Sequence, residues 1–189
     1  MVYNAVLTRG SIQAFPIKIT QLTNLRELQL VRSGLIDVPS EIGALTLLRV
    51  LNLSSNRLKE VPSQLFDLVQ LQELDLSNNA LKELPAAVQR LTQLSELKLC
   101  RNKLAHLPTQ LAHCRALVKL DLRANSLAQL PPALAQLHLQ QLHVDENPLK
   151  SPPLSLTARG SVAILSHLRT LLVSETAPIR QSIQISRSH

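Results

Sequence analysis

Leucine recurs along most of this chain in one phrase, Leu-x-x-Leu-x-Leu-x-x-Asn-x-Leu, beginning at Leu48, Leu71, Leu94 and Leu117. The asparagines in it, Asn56, Asn79, Asn102 and Asn125, stand 23 residues apart. Looser copies flank these four. The copy from Leu25 has Ser33 in the asparagine place, the copy from Val2 has Gly10 there, and the copy from Leu139 reaches Asn147 after a 22-residue step. A fixed period over most of a chain marks a solenoid, in which each unit buries its apolar face only against its neighbours.

One copy is enough to predict the local structure. In Leu71-Gln72-Glu73-Leu74-Asp75-Leu76, alternation puts Leu74 and Leu76 on one face and Glu73 and Asp75 on the other, the period of a short strand. Asn79 then turns the chain by bonding neighbouring backbone groups. Stacked repeat on repeat, Asn56, Asn79, Asn102, Asn125 and Asn147 predict a buried ladder that satisfies turn backbone beyond the reach of water. Asn78, one residue earlier, reads as an outward position whose replacement by Leu should be nearly silent.

Proline follows in the same register at Pro16, Pro39, Pro62, Pro85, Pro108 and Pro131. Apolar residues at the third and sixth places after it, such as Leu65/Leu68 and Val88/Leu91, suit one helical or 3-10 turn. Cys114 occupies the place of Leu68 and Leu91 and reads as a small core residue. The expected architecture is an α/β solenoid, with a curved parallel sheet on the concave face and short helical or 3-10 turns on the convex face.

The two ends differ. Ile164, Leu165, Leu168, Leu171 and Leu172 recur at helical spacing after Gly160 and Ser161, predicting a helix over the open end of the core. The division is therefore seven repeats over 2–153, a capping segment over 154–173 and a flexible tail over 174–189. No cap precedes Val2, so Val2, Ala5 and Leu7 should lack core partners on one side. An upstream continuation or a neighbour docked on that edge is the expectation.

The 23-residue unit, with its proline after the second apolar pair, resembles the intracellular leucine-rich repeats of Ras-group signalling scaffolds. These include plant intracellular Ras-group-related proteins, Ras-suppressor-like proteins, and the Scribble and Erbin scaffolds. The resemblance covers residues 2–173, and the stretch from Asn147-Pro148-Leu149 through Gly160 to Leu168-Arg169 is similar to how several of these arrays end. It implies the solenoid fold and partner binding through variable concave positions, and it carries no individual binding residue across. Secreted arrays of this type usually have disulfide-bonded caps; here Cys100 and Cys114 are the only cysteines, which points to an intracellular, cytoplasmic setting.

Composition narrows the function. Aromatics are only 2% of the residues, so the core is aliphatic and single-strand nucleic-acid stacking has little to work with. The net charge of +7 is dispersed, with no block of like charge. A nucleic-acid partner is disfavoured, and no segment is long and apolar enough to span a membrane. His143, Asp145 and Glu146 cluster near the last strand, with an exposed Cys100 on the same face. However, His143 and Asp145 lie two apart on one strand, with no second cluster nearby to complete the three or four ligands that zinc takes. With no Gly-rich phosphate loop and no catalytic constellation, neither enzyme activity nor a cofactor is expected.

What remains is the outward face of the sheet. The candidate partner-binding residues are Arg26, Glu27, Gln29, Arg32, Asn52, Glu73, Asp75, Glu96, Lys98, Arg101, Asp121 and Arg123. The reading is an intracellular signalling scaffold binding a protein on its concave sheet. The alternatives are a structural subunit of a ribonucleoprotein, cytoskeletal or axonemal assembly, or the targeting subunit of an enzyme such as a phosphatase.

Overall fold

The computed structural model describes residues 3–8 and 14–185. Val2, Arg9 and Gly10 therefore lie outside it, as does the end of the chain beyond Ile185. Seven strands form one open parallel sheet in sequence order: β1 Tyr3–Thr8, β2 Leu25–Val31, β3 Val50–Asn52, β4 Glu73–Asp75, β5 Glu96–Lys98, β6 Lys119–Asp121 and β7 Gln141–His143. A 3-10 turn lies between each pair of consecutive strands, at Ile17–Gln21, Ser40–Ala44, Ser63–Asp67, Ala86–Arg90, Thr109–His113 and Pro132–Gln136.

Each turn starts directly after one of the six in-register prolines. The Pro62 carbonyl accepts the Leu65 N–H at 3.0 Å, and Pro85 accepts from Val88 at 3.0 Å. Proline suits this place because its restricted φ leads the chain into the turn while its carbonyl remains free to accept. The sixth position caps the turn from below. Leu68, Leu91 and Cys114 each donate a backbone N–H to the third position and point into the core, where all three are fully buried. Leucine fills nearly all of that core; Phe66 and Phe15 are its aromatics among the described residues.

The asparagines tie one repeat to the next. Asn79 Nδ2 donates to the Leu76 and Ser77 carbonyls of its own turn at 3.1 and 3.2 Å, and to the Leu53 carbonyl of the preceding repeat at 3.0 Å. Its Oδ1 accepts the Leu58 N–H, also in the preceding repeat, at 3.0 Å. Asn102, Asn125 and Asn147 repeat this four-bond pattern. Asn56 adds a fifth bond, accepting from both Ser33 and Leu35. Ser33 has no amide to do the same; among the described residues its hydroxyl bonds the Val31 carbonyl of its own turn, at 3.4 Å.

One feature of these turns departs from the sequence reading. The residue before each asparagine place is left-handed without being glycine: Arg32, Ser55, Asn78, Arg101, Ala124 and Glu146 have φ between 53° and 60°. Such a conformation costs an L-residue roughly 1–2 kcal/mol. It persists here because these residues stay in the ladder; the Asn78 and Arg101 N–H groups donate to Cys100 and Arg123 carbonyls at 2.8 Å each. Asn78 is therefore not a neutral outward position. Its side chain also donates to Ser55 Oγ at 3.1 Å, and Leu there would be strained.

At the far end two helices follow, α1 Leu154–Thr157 and α2 Ser161–Ile185. Ile164, Leu165 and Leu168 of α2 are buried in the core, and α2 packs on the Pro132–Gln136 turn. Ser161 does more than open the helix. Its hydroxyl accepts the Leu142 N–H at 2.9 Å and donates to the Leu142 carbonyl at 3.2 Å, completing the open edge of β7. The helix runs to Ile185 without ending near Leu172, so residues 174–185, expected as a separate tail, extend the same element. At the front, β1 pairs with β2 over its length, Ala5 packs against the core, and Val6, Ile17 and Leu22 are about half exposed.

Replacing Asn79 by Leu leaves the Leu58 N–H unsatisfied in a packed turn, at about 1–3 kcal/mol. It also removes one bond each from the Leu53, Leu76 and Ser77 carbonyls, which keep Asn56, Asn102 and the Ser55 N–H, at about 0.5–1.5 kcal/mol per bond. Urea unfolding of Asn79→Leu should show a loss of several kcal/mol of stability. Asn78→Leu should lose about 1 kcal/mol and Asn78→Gly less, because glycine, like asparagine, tolerates left-handed backbone and leucine does not. If Asn79→Leu and Asn78→Leu lose the same amount, the ladder is not what couples the repeats.

Candidate functional site

The parallel register sets the outward side chains in columns across the sheet. One column runs Asn4, Glu27, Val50, Glu73, Glu96, Lys119, Gln141, and the next Val6, Gln29, Asn52, Asp75, Lys98, Asp121, His143. In-register pairing aligns them at steps of 23 residues, and the single 22-residue step from Lys119 to Gln141 keeps the column because the missing residue falls outside the paired strands.

In the middle of the sheet the charges pair. Glu96 sits between two ammonium groups, with Lys98 Nζ at 2.8 Å and Lys119 Nζ at 3.2 Å. The Lys98 hydrogen bond is the strongest influence on Glu96 and holds its carboxyl below the ordinary range against the opposing effect of burial; Glu96 raises Lys98 in turn. One strand on, Arg123 binds Asp121 through Nη2 at 2.6 Å and Nε at 3.0 Å. Burial pushes the Asp121 carboxyl up, and the Arg123 bonds outweigh it, leaving Asp121 lowered.

Three of the candidate residues also have work in the backbone. Asn52 Oδ1 accepts the Ser54 N–H at 3.0 Å, Asp75 the Ser77 N–H at 2.9 Å and hydroxyl at 2.6 Å, and Asp121 the Arg123 N–H at 3.1 Å. A short Asn or Asp side chain bonding the N–H two residues on is a turn device. Asn or Asp two places before the turn was the available signal, and the sequence reading passed over it. Glu27 is also engaged locally, by the Gln29 amide at 2.5 Å. Arg26, Arg32, Glu73 and Arg101, by contrast, make no ion pair among the described residues.

The candidate residues fall around three depressions. Gln29, Asn52, Glu73, Asp75, Glu96 and Lys98 line one of about 100 Å³. Glu96, Lys98, Asp121 and Arg123 join Lys119, Gln141 and His143 around a second of about 180 Å³. Arg32, Arg101 and Arg123 line a groove of about 370 Å³ along the strand exits, with Ser55, Asn78 and Glu146. Arg26 and Glu27 line none of the three.

The cysteines are poor nucleophiles. Cys100 is half-buried rather than exposed as expected, and burial raises its thiol. Cys114 is fully buried, donates to the Val88 carbonyl, and is pushed up to about 11 by burial. Among the described residues no group of three or more His, Cys, Asp or Glu is placed to hold a metal ion, and no helix is long and apolar enough to cross a membrane.

Two family models match the sequence, a leucine-rich repeat region over residues 13–103 and a leucine rich repeat over 92–149. No curated protein sequence matches it. Among solved structures, an LRR protein of Leptospira interrogans is 36% identical with a TM-score of 0.72, matching 82% of this chain and 40% of that one. The LRR ectodomain of the Arabidopsis thaliana membrane receptor kinase GASSHO1/SCHENGEN3, in complex with Casparian strip integrity factor 2, is 30% identical with a TM-score of 0.67, over 71% of this chain and 17% of that one. The plant peptide hormone receptor RGFR1 in complex with RGF2 is 27% identical with a TM-score of 0.67, over 77% of this chain and 25% of that one. The chain thus spans two fifths or less of the length of each of these three proteins.

The Glu96 pairing has a pH signature. Because its folded carboxyl ionises below the ordinary 4.5, its contribution is complete above that value and is lost as pH falls through the folded one. Wild type should be more stable than Glu96→Gln at neutral pH, and the urea midpoints of the two should converge in acid. A gap that stays constant down to about pH 3 would show that the carboxylate charge contributes nothing.

Proposed function

This chain belongs to the leucine-rich repeat proteins, and on that footing we propose that it is a non-enzymatic interaction module that holds a protein partner on its concave sheet, in the manner of an intracellular signalling scaffold. The observation that carries the reading is the set of outward columns. Side chains of both signs stand at regular intervals on a backbone whose turns, from Asn56 onward, are each tied to the one before. Such a surface loses little order on binding, and preorganisation is a large part of what makes an interface tight. Similar structures of plant receptors, one in complex with Casparian strip integrity factor 2 and one, a peptide hormone receptor, in complex with RGF2, support a protein or peptide ligand.

Contact residues follow from which side chains are uncommitted. Glu73, Arg26, Arg32 and Arg101 can meet a partner without breaking an existing pair, and Gln29 and Lys98 flank them. Asn52, Asp75 and Asp121 contribute by shaping the strand exits. Two unpaired thiols support an intracellular setting, where a reducing environment leaves them free. One observation favours a contact elsewhere: Leu47 and Val69, each 44% exposed, lie on the return segments and would suit an architectural subunit.

Affinity capture followed by mass spectrometry should recover a protein partner. Reversing Glu73→Lys and Lys98→Glu together should weaken that capture roughly tenfold, with the circular dichroism spectrum unchanged. Capture that survives those changes and is lost with Leu47→Asp and Val69→Asp would replace the concave reading with the architectural one.

A further inference from the structure

The groove along the strand exits has an uneven charge pattern. Arg32 and Arg101 line it and make no ion pair among the described residues, whereas Arg123 is committed to Asp121. Between the two free guanidinium groups lie Ser55 and Asn78, both polar and uncharged. The far end closes with Glu146. All these positions except Arg123 belong to the left-handed column, so their backbone geometry is nearly identical from repeat to repeat.

Spacing makes the pattern specific. The column stays hydrogen-bonded across repeats, with Arg32 N–H to Ser54, Ser55 to Ser77, and Asn78 to Cys100 at 3.1, 2.9 and 2.8 Å, so successive members are one strand spacing apart. Arg32 and Arg101 are three steps from each other, about 14 Å at the usual 4.7–4.9 Å per strand. An extended peptide laid along the groove advances about 3.3 Å per residue and returns to the same face every second residue, so four residues cover about 13 Å. Two acidic side chains four apart would meet Arg32 and Arg101 together, and the residue midway between them would face Ser55 and Asn78. Three or five apart would put the second acid on the wrong face.

We infer that this groove binds an extended acidic segment of a partner protein, with Asp or Glu at positions four apart engaging Arg32 and Arg101. This deepens, and rests on, the reading of the chain as a protein-interaction module. Charge and composition select a peptide over a polyanion. A nucleic-acid strand following the same path would set a phosphate against Glu146, and no aromatic side chain lines the groove to stack a base.

Fluorescence anisotropy with labelled peptides tests it. One probe carries two aspartates four apart in a serine and threonine background, a second carries them three apart, and a labelled oligouridine serves as the polyanion. Variants Arg32→Asn and Arg101→Asn remove the charge while keeping a residue that tolerates the left-handed backbone. Arg49→Asn, exposed and outside the groove, is the comparison. The four-apart peptide should bind more tightly than the three-apart one, and the double variant should weaken it roughly tenfold while Arg49→Asn changes it little. Equal binding of the two peptides, an equal loss from Arg49→Asn, or tighter binding of oligouridine would overturn the inference. The captured partner separates the two claims: if it still binds the Arg32→Asn/Arg101→Asn protein, the interaction module stands and the groove assignment falls.

Discussion

The carboxamide of the asparagine ladder is the interaction on which the rest of this molecule depends. A parallel solenoid must turn the chain against its own interior once per repeat, and the turn presents carbonyl and N–H groups to amides that are buried at Asn102, Asn125 and Asn147 and half-buried at Asn56 and Asn79. A single side chain with two donors and an acceptor resolves this at each level. Because part of each amide's bonding is to the preceding repeat, it also sets the step between repeats. The leucines supply the apolar burial, but leucine is non-directional; the amides hold the register that the leucines alone would leave loose.

The strand exit, where that turn begins, serves both the fold and the surface. Left-handed backbone there is usually left to glycine, which would leave a smooth edge. This chain instead places Arg, Ser, Asn, Arg, Ala and Glu in the column and meets the conformational cost through the surrounding hydrogen bonds. The result is a second row of side chains beside the two columns on the strands. Asn52, Asp75 and Asp121 bridge the rows, each part of the outward face and each fixing the N–H two residues on.

Much of this could be read from the letters. Period, alternation and in-register prolines predict the strands, the 3-10 turns, the inward leucines and the partners of each column, because they are local rules repeated in phase. The left-handed column escaped because nothing in Arg32, Ala124 or Glu146 signals positive φ; only the ladder on either side imposes it. Cys100 was read as exposed because strand alternation says nothing about how deeply a turn residue sinks. Ser161 was read as a helix start, and its second role depends on the open edge of β7, which comes from a distant part of the chain. The charge pairs around Glu96 follow from rotamers, which a pattern of letters does not specify.

The serine at position 33 gives the array a mechanical direction. From Asn56 onward each level is clamped to the one before it through a side-chain amide, while the Ser33 hydroxyl, among the described residues, bonds Val31 alone, and β1 and β2 are joined through six paired residues where later strands pair through three. At the opposite end Ser161 and three buried side chains of α2 seal the last strand. Under load the clamped levels would resist sliding past one another through their amides, whereas β1 and β2 would resist through the length of their backbone pairing.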